Sequence, residues 1–180
     1  IKELQFPFEY REGQKKLVED VYRTILRRKN LFLQAPTGVG KTISTIFPAV
    51  KAVGEGLGDR IFYLTAKTIT ASVARETFST LMDYGYRAKI IQITAKEKMC
   101  LCDEMECNPI NCPYARGHFY RVNDAVYELL QEKDMFMRED LLEHARKHQV
   151  CPFELSLDVA SWRADIVCDY NYVFAPNVYL

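Results

Sequence analysis

Residues Ala35-Pro36-Thr37-Gly38-Val39-Gly40-Lys41-Thr42 constrain this chain more than any other stretch. They follow a short apolar run, Leu31-Phe32-Leu33-Gln34, and open a segment that stays largely apolar from Lys41 to Val53. Strand, glycine turn and helix in that order is how a backbone wraps a phosphate: glycines let successive N–H groups face the anion, and the helix N-terminus adds its positive end. Lys41 would then reach the β- and γ-phosphates of a nucleotide, and Thr42 would offer a hydroxyl to Mg²⁺. Ala35 stands where the strict pattern has Gly, giving the variant A-x-x-x-x-G-K-T; a small residue is enough there, because close packing matters more than a left-handed backbone. Ala35, Thr37, Gly38, Val39, Gly40, Lys41 and Thr42 are therefore expected to bind a nucleotide.

The surrounding pattern is that of a parallel sheet covered by helices. Leu17, Val18, Val21, Tyr22, Ile25 and Leu26 recur at three- and four-residue spacing, which predicts an amphipathic helix between Arg11 and Arg28. Leu31–Gln34 reads as a strand, Lys41–Val53 as a helix kinked at Pro48 and ended by Gly54, Gly56 and Gly58, and Ile61–Thr65 as the next strand. A helix from about Ile69 to Met82 and a strand Lys89–Ile93 follow. Short connections between alternating strands and helices give an α/β class, a P-loop lobe with a parallel sheet. The alternation breaks at Thr94, where cysteines, Asn and Pro crowd in, and resumes after Pro152 with a helix over Glu154–Trp162 and strand material at Ile166–Cys168 and Tyr172–Phe174. Two helices are expected within the interruption, near Phe119–Lys133 and Glu139–Gln149. Three segments result: 1–94, an insertion over 95–155, and a return over 156–180.

Composition narrows the function classes. The 180 residues are 48% hydrophobic and 27% charged, which excludes collagen-like, low-complexity and wholly disordered chains. No apolar run approaches the roughly 18–20 residues of a membrane span, and no export signal is visible. Lys+Arg and Asp+Glu balance at 24 each, so any nucleic-acid contact must come from local placement of charge rather than from a basic field. The chain opens on Ile1 rather than Met and stops at Leu180 without a polar tail, so it is expected to be a segment of something longer.

Six cysteines are too sparse for a disulfide scaffold. Their spacing, Cys100-x-Cys102-x₄-Cys107-x₄-Cys112 and then Cys151, is compatible with a zinc site or with an iron–sulfur cubane, and spacing alone does not choose between them. Cys168 lies in an apolar strand and reads as a core thiol. His144 and His148 share a helix face at i, i+4, a zinc-like spacing, but the sequence shows no third ligand beside them. Tyr114, Arg116, Phe119, Tyr120 and Arg121 mix aromatic rings with cations, as a single-strand-binding surface would.

Thr37-Gly38-Val39-Gly40-Lys41-Thr42 resembles motif I of superfamily 2 helicases, and Phe6-Pro7-Phe8-Glu9-Tyr10-Arg11-Glu12-Gly13-Gln14 resembles the segment that precedes it in the DinG/XPD iron–sulfur helicases. Tyr63-Leu64-Thr65-Ala66-Lys67-Thr68 is similar to motif Ia. The resemblance implies a partial RecA-like lobe interrupted by a four-cysteine [4Fe–4S] domain. It also implies ATP with Mg²⁺ as the nucleotide, and single-stranded DNA or a single-/double-strand junction as partner. By the same likeness Gln14 would read the adenine edge, its amide matching a donor and an acceptor. Thr65, Lys67 and Thr68 would touch the strand, although Thr65 and Thr68 could equally cap the following helix. Lys41 and Thr42 carry the catalytic expectation.

Cys151-Pro152-Phe153, Lys96-Glu97-Lys98-Met99-Cys100 and Cys112-Pro113-Tyr114-Ala115-Arg116 resemble the surroundings of the family's cluster ligands. That implies Cys100, Cys107, Cys112 and Cys151 as the ligands, with Cys102 as a spare able to replace Cys100 or Cys107. The parent activity implied is ATP-driven 5′→3′ translocation on single-stranded DNA with duplex unwinding, by a monomer. A cytoplasmic, nucleoid-associated bacterial setting is expected, or a nuclear one in a eukaryote. A helicase of this kind also needs an acidic motif II and a second lobe, and these 180 residues hold neither. Ile166-Val167-Cys168-Asp169 imitates a Walker B strand, but Tyr170 follows where Glu should stand, so Asp169 is given no metal role. Two other classes fit parts of the pattern: a P-loop phosphotransferase with a zinc-binding insertion, and a non-enzymatic nucleic-acid-binding module.

Overall fold

The computed structural model describes residues 3–162 and 164–176, so the chain ends Ile1 and Leu180 lie outside it. The chain divides into two compact units, Ile1–Ile61 with Lys67–Arg87, and Phe62–Ala66 with Ala88–Leu180.

The first unit is built on three helices, α1 (Gln14–Leu26), α2 (Lys41–Gly54) and α3 (Thr68–Asp83). Helix α2 buries Ile43, Ile46, Phe47, Val50 and Ala52, because α1 and α3 both pack against it. Helix α1 presents Val18 and Val21, and α3 a stripe of Ala71, Ala74, Phe78 and Leu81 at helical spacing. Pro48 stays inside α2, forgoing the backbone bond its missing N–H would have made. The aromatic segment before α1 is pinned by Phe6, which stacks on Tyr10 at 4.3 Å and meets Phe47 edge-on at 5.3 Å. The strand expected at Leu31–Gln34 does not form, and Phe32 is 95% exposed. Apolar character is not sufficient for a strand; a ladder needs a neighbouring backbone, and none of the described residues supplies one.

The second unit holds a four-stranded parallel sheet in the order β1-β4-β2-β3, with β1 (Phe62–Leu64), β2 (Ile90–Gln92), β3 (Met135–Phe136) and β4 (Asp165–Cys168). Strand β4 lies between the two earlier strands, Tyr63 opposite Val167 and Ile91 opposite Ile166. The α/β, parallel-sheet expectation is therefore met. Strand β3 was not expected; it pairs with β2 through Ile90–Met135 and Ile91–Phe136. Two residues of Met-Phe carry no legible period, so only their partner reveals them as a strand.

Five helices complete this unit: α4 (Lys96–Met99), α5 (His118–Glu132), α6 (Arg138–His148), α7 (Pro152–Ser161) and α8 (Asn171–Phe174). One hydrophobic core joins Leu129, Phe136, Leu141, Leu155 and Val159 to the sheet residues Ile91 and Ile166. Helix α8 corrects the strand expected at Tyr172–Phe174. The Asp169 carboxylate accepts the Asn171 N–H at 2.9 Å and its carbonyl accepts Tyr172 N–H at 3.1 Å, so a local turn overrides the β preference of Tyr-Val-Phe. No helix is long and apolar enough to cross a membrane among the described residues.

Phe136 is fully buried on β3, so Phe136→Ala should cost about 3–5 kcal/mol in urea unfolding. A loss below about 1 kcal/mol would show that residues 95–155 do not share the sheet's core.

Candidate nucleotide and cysteine sites

In the first unit the turn before α2 has the geometry an anion needs. Gly38 and Gly40 both hold positive φ, 88° and 79°, a region that favours glycine. Gly40 is the N-cap of α2 and no side chain caps that end, which leaves its first-turn N–H groups to a ligand. The Lys41 ammonium folds back to donate to the carbonyls of Ala35 and Pro36, both at 2.9 Å. Those carbonyls hold the charge over the turn itself. Arg11 donates to the carbonyl of Gly38, and Val39 and Thr42 are half-buried in the same turn and helix start.

Gln14 is 3% exposed, and its Oε1 accepts the Arg11 N–H at 3.0 Å. Its Nε2 lies so close to Gly40 that a Cβ there would come within 2.6 Å. The expected adenine-reading residue is therefore packed directly against the phosphate turn. Its Nε2 N–H groups and the remaining Oε1 lone pair are left for a base.

The expected strand-contacting residues fall into different units. Thr65 is buried beyond the end of β1, its N–H donating to the Cys168 carbonyl at 3.0 Å. Lys67 is the N-cap of α3 and Thr68 the first residue of that helix, and no side chain caps it.

In the second unit Cys100, Cys102, Cys107, Cys112 and Cys151 line a single pocket with Lys96, Met105, Tyr114 and Phe153, enclosing a cavity of about 20 Å³. Four of these thiols are the expected ligands and the fifth is the spare, so residues 51 positions apart converge. The Cys102 and Cys112 sulfurs stand 3.9 Å apart. Burial, with hydrogen bonds from Cys112 and Cys100, pushes the Cys102 thiol up to about 11. Among the described residues no three of the sulfurs lie within 4.8 Å of one another. Cys168 is buried in β4, apart from this pocket.

Cys151 is the most carefully held of the five. It is the N-cap of α7, with Pro152 at the first helical position. Burial raises its pKa, while the backbone N–H groups of Glu154 and Phe153 oppose that shift. Its own N–H donates to His118 Nδ1 at 3.2 Å, which fixes the other ring nitrogen as N–H. That Nε2 is buried without a hydrogen-bond partner, 3.5 Å from the Asp158 carboxylate. Lys96 faces the same thiols; burial lowers its pKa, but Cys107, Glu154 and Cys151 outweigh this and leave it raised. A donor set of thiols with an ammonium and a helix N-terminus beside them suits a thiolate-bound metal group.

The mixed aromatic and basic stretch divides by role. Arg116 donates to the carbonyls of Pro109 and Ile110, and Arg121 to those of Arg116, His148 and Gln149. Both cations are committed to loop backbone. Phe119 and Tyr120 are 86% and 91% exposed and remain available for stacking.

Comparison with known proteins places this geometry. The DEAD/DEAH box helicase model matches residues 11–110, and the DEAD_2 model residues 87–179. The regulator of telomere elongation helicase 1 from Homo sapiens is 23% identical over 219 residues, covering 94% of this chain and 18% of its own length. The same protein from Rattus norvegicus is 24% identical, covering 94% and 17%. A probable ATP-dependent helicase of Methanocaldococcus jannaschii is 30% identical over 125 residues, covering 68% of this chain and 18% of its own. The chain thus spans less than a fifth of the length of these curated relatives.

Two measurements check the cysteine pocket. His118→Ala strands a Cys151 N–H and should cost about 1–3 kcal/mol of unfolding free energy. In the metal-free chain at neutral pH, iodoacetamide followed by peptide mass mapping should modify exposed Cys107 well before Cys102, whose thiol is held protonated. Equal rates at both would contradict the pocket described.

Proposed function

The chain belongs to the DEAD/DEAH box helicase family, and from that membership we propose that its parent protein is an ATP-dependent DNA helicase of the DinG/XPD type. The observation that carries the nucleotide half is the uncapped α2 N-terminus behind two left-handed glycines, with the Lys41 ammonium already over the turn. ATP displaces the Ala35 and Pro36 carbonyls as partners of Lys41 and takes the first-turn N–H groups. Thr42 offers its hydroxyl to Mg²⁺, and Gln14, packed on Gly40, meets the adenine edge. Thr65, Lys67 and Thr68 contact the backbone of a single strand without reading its sequence. Translocation runs 5′→3′, with unwinding at a single-/double-strand junction.

Cys100, Cys107, Cys112 and Cys151 hold a [4Fe–4S] cluster in this reading, with Cys102 beside them. Bound there, the cluster supplies cross-linking between segments that have few apolar contacts of their own. The convergence of the five thiols on one cavity supports it. A second reading has one observation in its favour: two thiolates on one tetrahedral zinc stand about 3.8 Å apart, close to the Cys102–Cys112 separation.

Anaerobic purification with iron, sulfide and zinc analysis separates the two. Iron and sulfide in near-equal amounts with broad visible absorption support the cluster, and zinc in a colourless protein supports the alternative. For the nucleotide half, Lys41→Ala should weaken ATP binding about tenfold or more, the share of a charge-assisted contact. The isolated 180-residue chain should bind ATP weakly and not hydrolyse it, and brisk DNA-stimulated turnover by that chain would refute this.

A further inference from the structure

We propose that helices α5 and α6 form a site for a zinc-class divalent cation, separate from the cysteine pocket, with His144 Nε2 and the carboxylates of Glu128 and Glu132 as ligands and His148 Nε2 as a fourth donor. The sequence places His144 and His148 one turn apart on α6 and leaves them without a third ligand. The fold supplies it, because α5 packs against α6 and carries Glu128 and Glu132 at the matching one-turn spacing. The ligand atoms of Glu128, Glu132 and His144 all lie within 4.8 Å of one another. Facing helices that each offer an i, i+4 pair are a recurrent frame for metal sites in helical bundles.

The protonation of His144 adds chemistry to proximity. This ring is 4% exposed, and its Nδ1 lies 3.0 Å from the Asp140 carbonyl oxygen, an atom that only accepts. Nδ1 therefore carries a proton, and in the neutral ring the lone pair is on Nε2. That lone pair points at Glu132 Oε2, 3.1 Å away, which also only accepts. Two acceptors face each other at contact distance, an arrangement that needs a positive centre near both. A metal ion between them, or a second ring proton, supplies that centre. An Nδ1–H held by a backbone carbonyl is also the usual support of a ligating histidine, since it fixes tautomer and ring angle.

The second pair is also in contact, with His148 Nε2 2.5 Å from Glu128 Oε2. Two carboxylates neutralise a divalent ion, and imidazole with carboxylate is a donor set for zinc and its neighbours rather than for magnesium or calcium. Lys147 also reaches Glu128 and competes with a metal for it, but its side chain is 58% exposed and can swing into water. None of these residues lines the cysteine pocket.

The test is titration of the chain with Co²⁺ and then Zn²⁺. Thiolate-bound cobalt shows intense near-ultraviolet charge-transfer bands, and cobalt on nitrogen and oxygen does not, so occupancy of the cysteines reads out separately. One equivalent should bind without thiolate bands, be displaced by zinc, and weaken about tenfold or more in His144→Gln and in Glu132→Gln. Lys147→Gln should tighten it. Because His144 is buried and its substitution can unfold the chain, Glu132→Gln, at a carboxylate with 47% side-chain exposure, decides the same point without that risk. Metal bound only through thiolates, or uptake unchanged in Glu132→Gln, overturns the proposal. So does a ¹⁵N spectrum in which His144 is doubly protonated at neutral pH and unmoved by zinc, which identifies a proton-held ion pair instead.

Discussion

Long cationic side chains holding loop carbonyls are the interaction on which the rest of this protein depends. Every buried carbonyl needs a donor, and the connections between short strands and helices leave many outside any ladder. Lys89 donates to the carbonyls of Leu130 and Lys133, closing the C-terminal end of α5, where a cation also meets the negative end of the helix dipole. Arg138 holds the Lys98 carbonyl through two nitrogens, tying α6 to the segment that leads into Cys100. Arg121 gathers the carbonyls of Arg116, His148 and Gln149, and Gln149 is one of two non-glycine residues with positive φ among the described residues. The corner from α6 into Cys151 is therefore built around one guanidinium.

This use of charge bears on function. The chain has as many cations as anions, and several arginines that might have read as phosphate contacts are spent on backbone. In the second unit Phe119 and Tyr120 stand exposed on α5. Stacking on such rings tolerates any base and reads no sequence. In the first unit Lys41 shows the same habit in a different role. Its carbonyl partners, Ala35 and Pro36, belong to the glycine turn before α2.

The glycine turn before α2 was legible because its pattern is local. Glycines at 38 and 40, a lysine and a threonine within one helix start need no partner elsewhere to be recognised. Six helices were legible for a similar reason, since α1, α2, α3, α5, α6 and α7 each carry their own period. Leu31–Gln34 and Tyr172–Phe174 misled because strand formation is decided by a neighbour and by competing turn chemistry, neither of which is written in an apolar run. The pairing of β3 with β2 lay hidden in two residues, within a stretch that otherwise looked like an insertion.

Sequence alone determined which turn is the candidate nucleotide site, which thiols are candidates for a metal group, and that helices alternate with parallel strands. Those follow from residue type and short spacing. Only the tertiary structure decided that five thiols face one cavity, that His118 takes the Cys151 N–H, and that Glu128 and Glu132 stand opposite His144 and His148. Each of these brings together side chains 12 to 51 positions apart, and such meetings are fixed by how helices pack on a sheet, which no local pattern encodes.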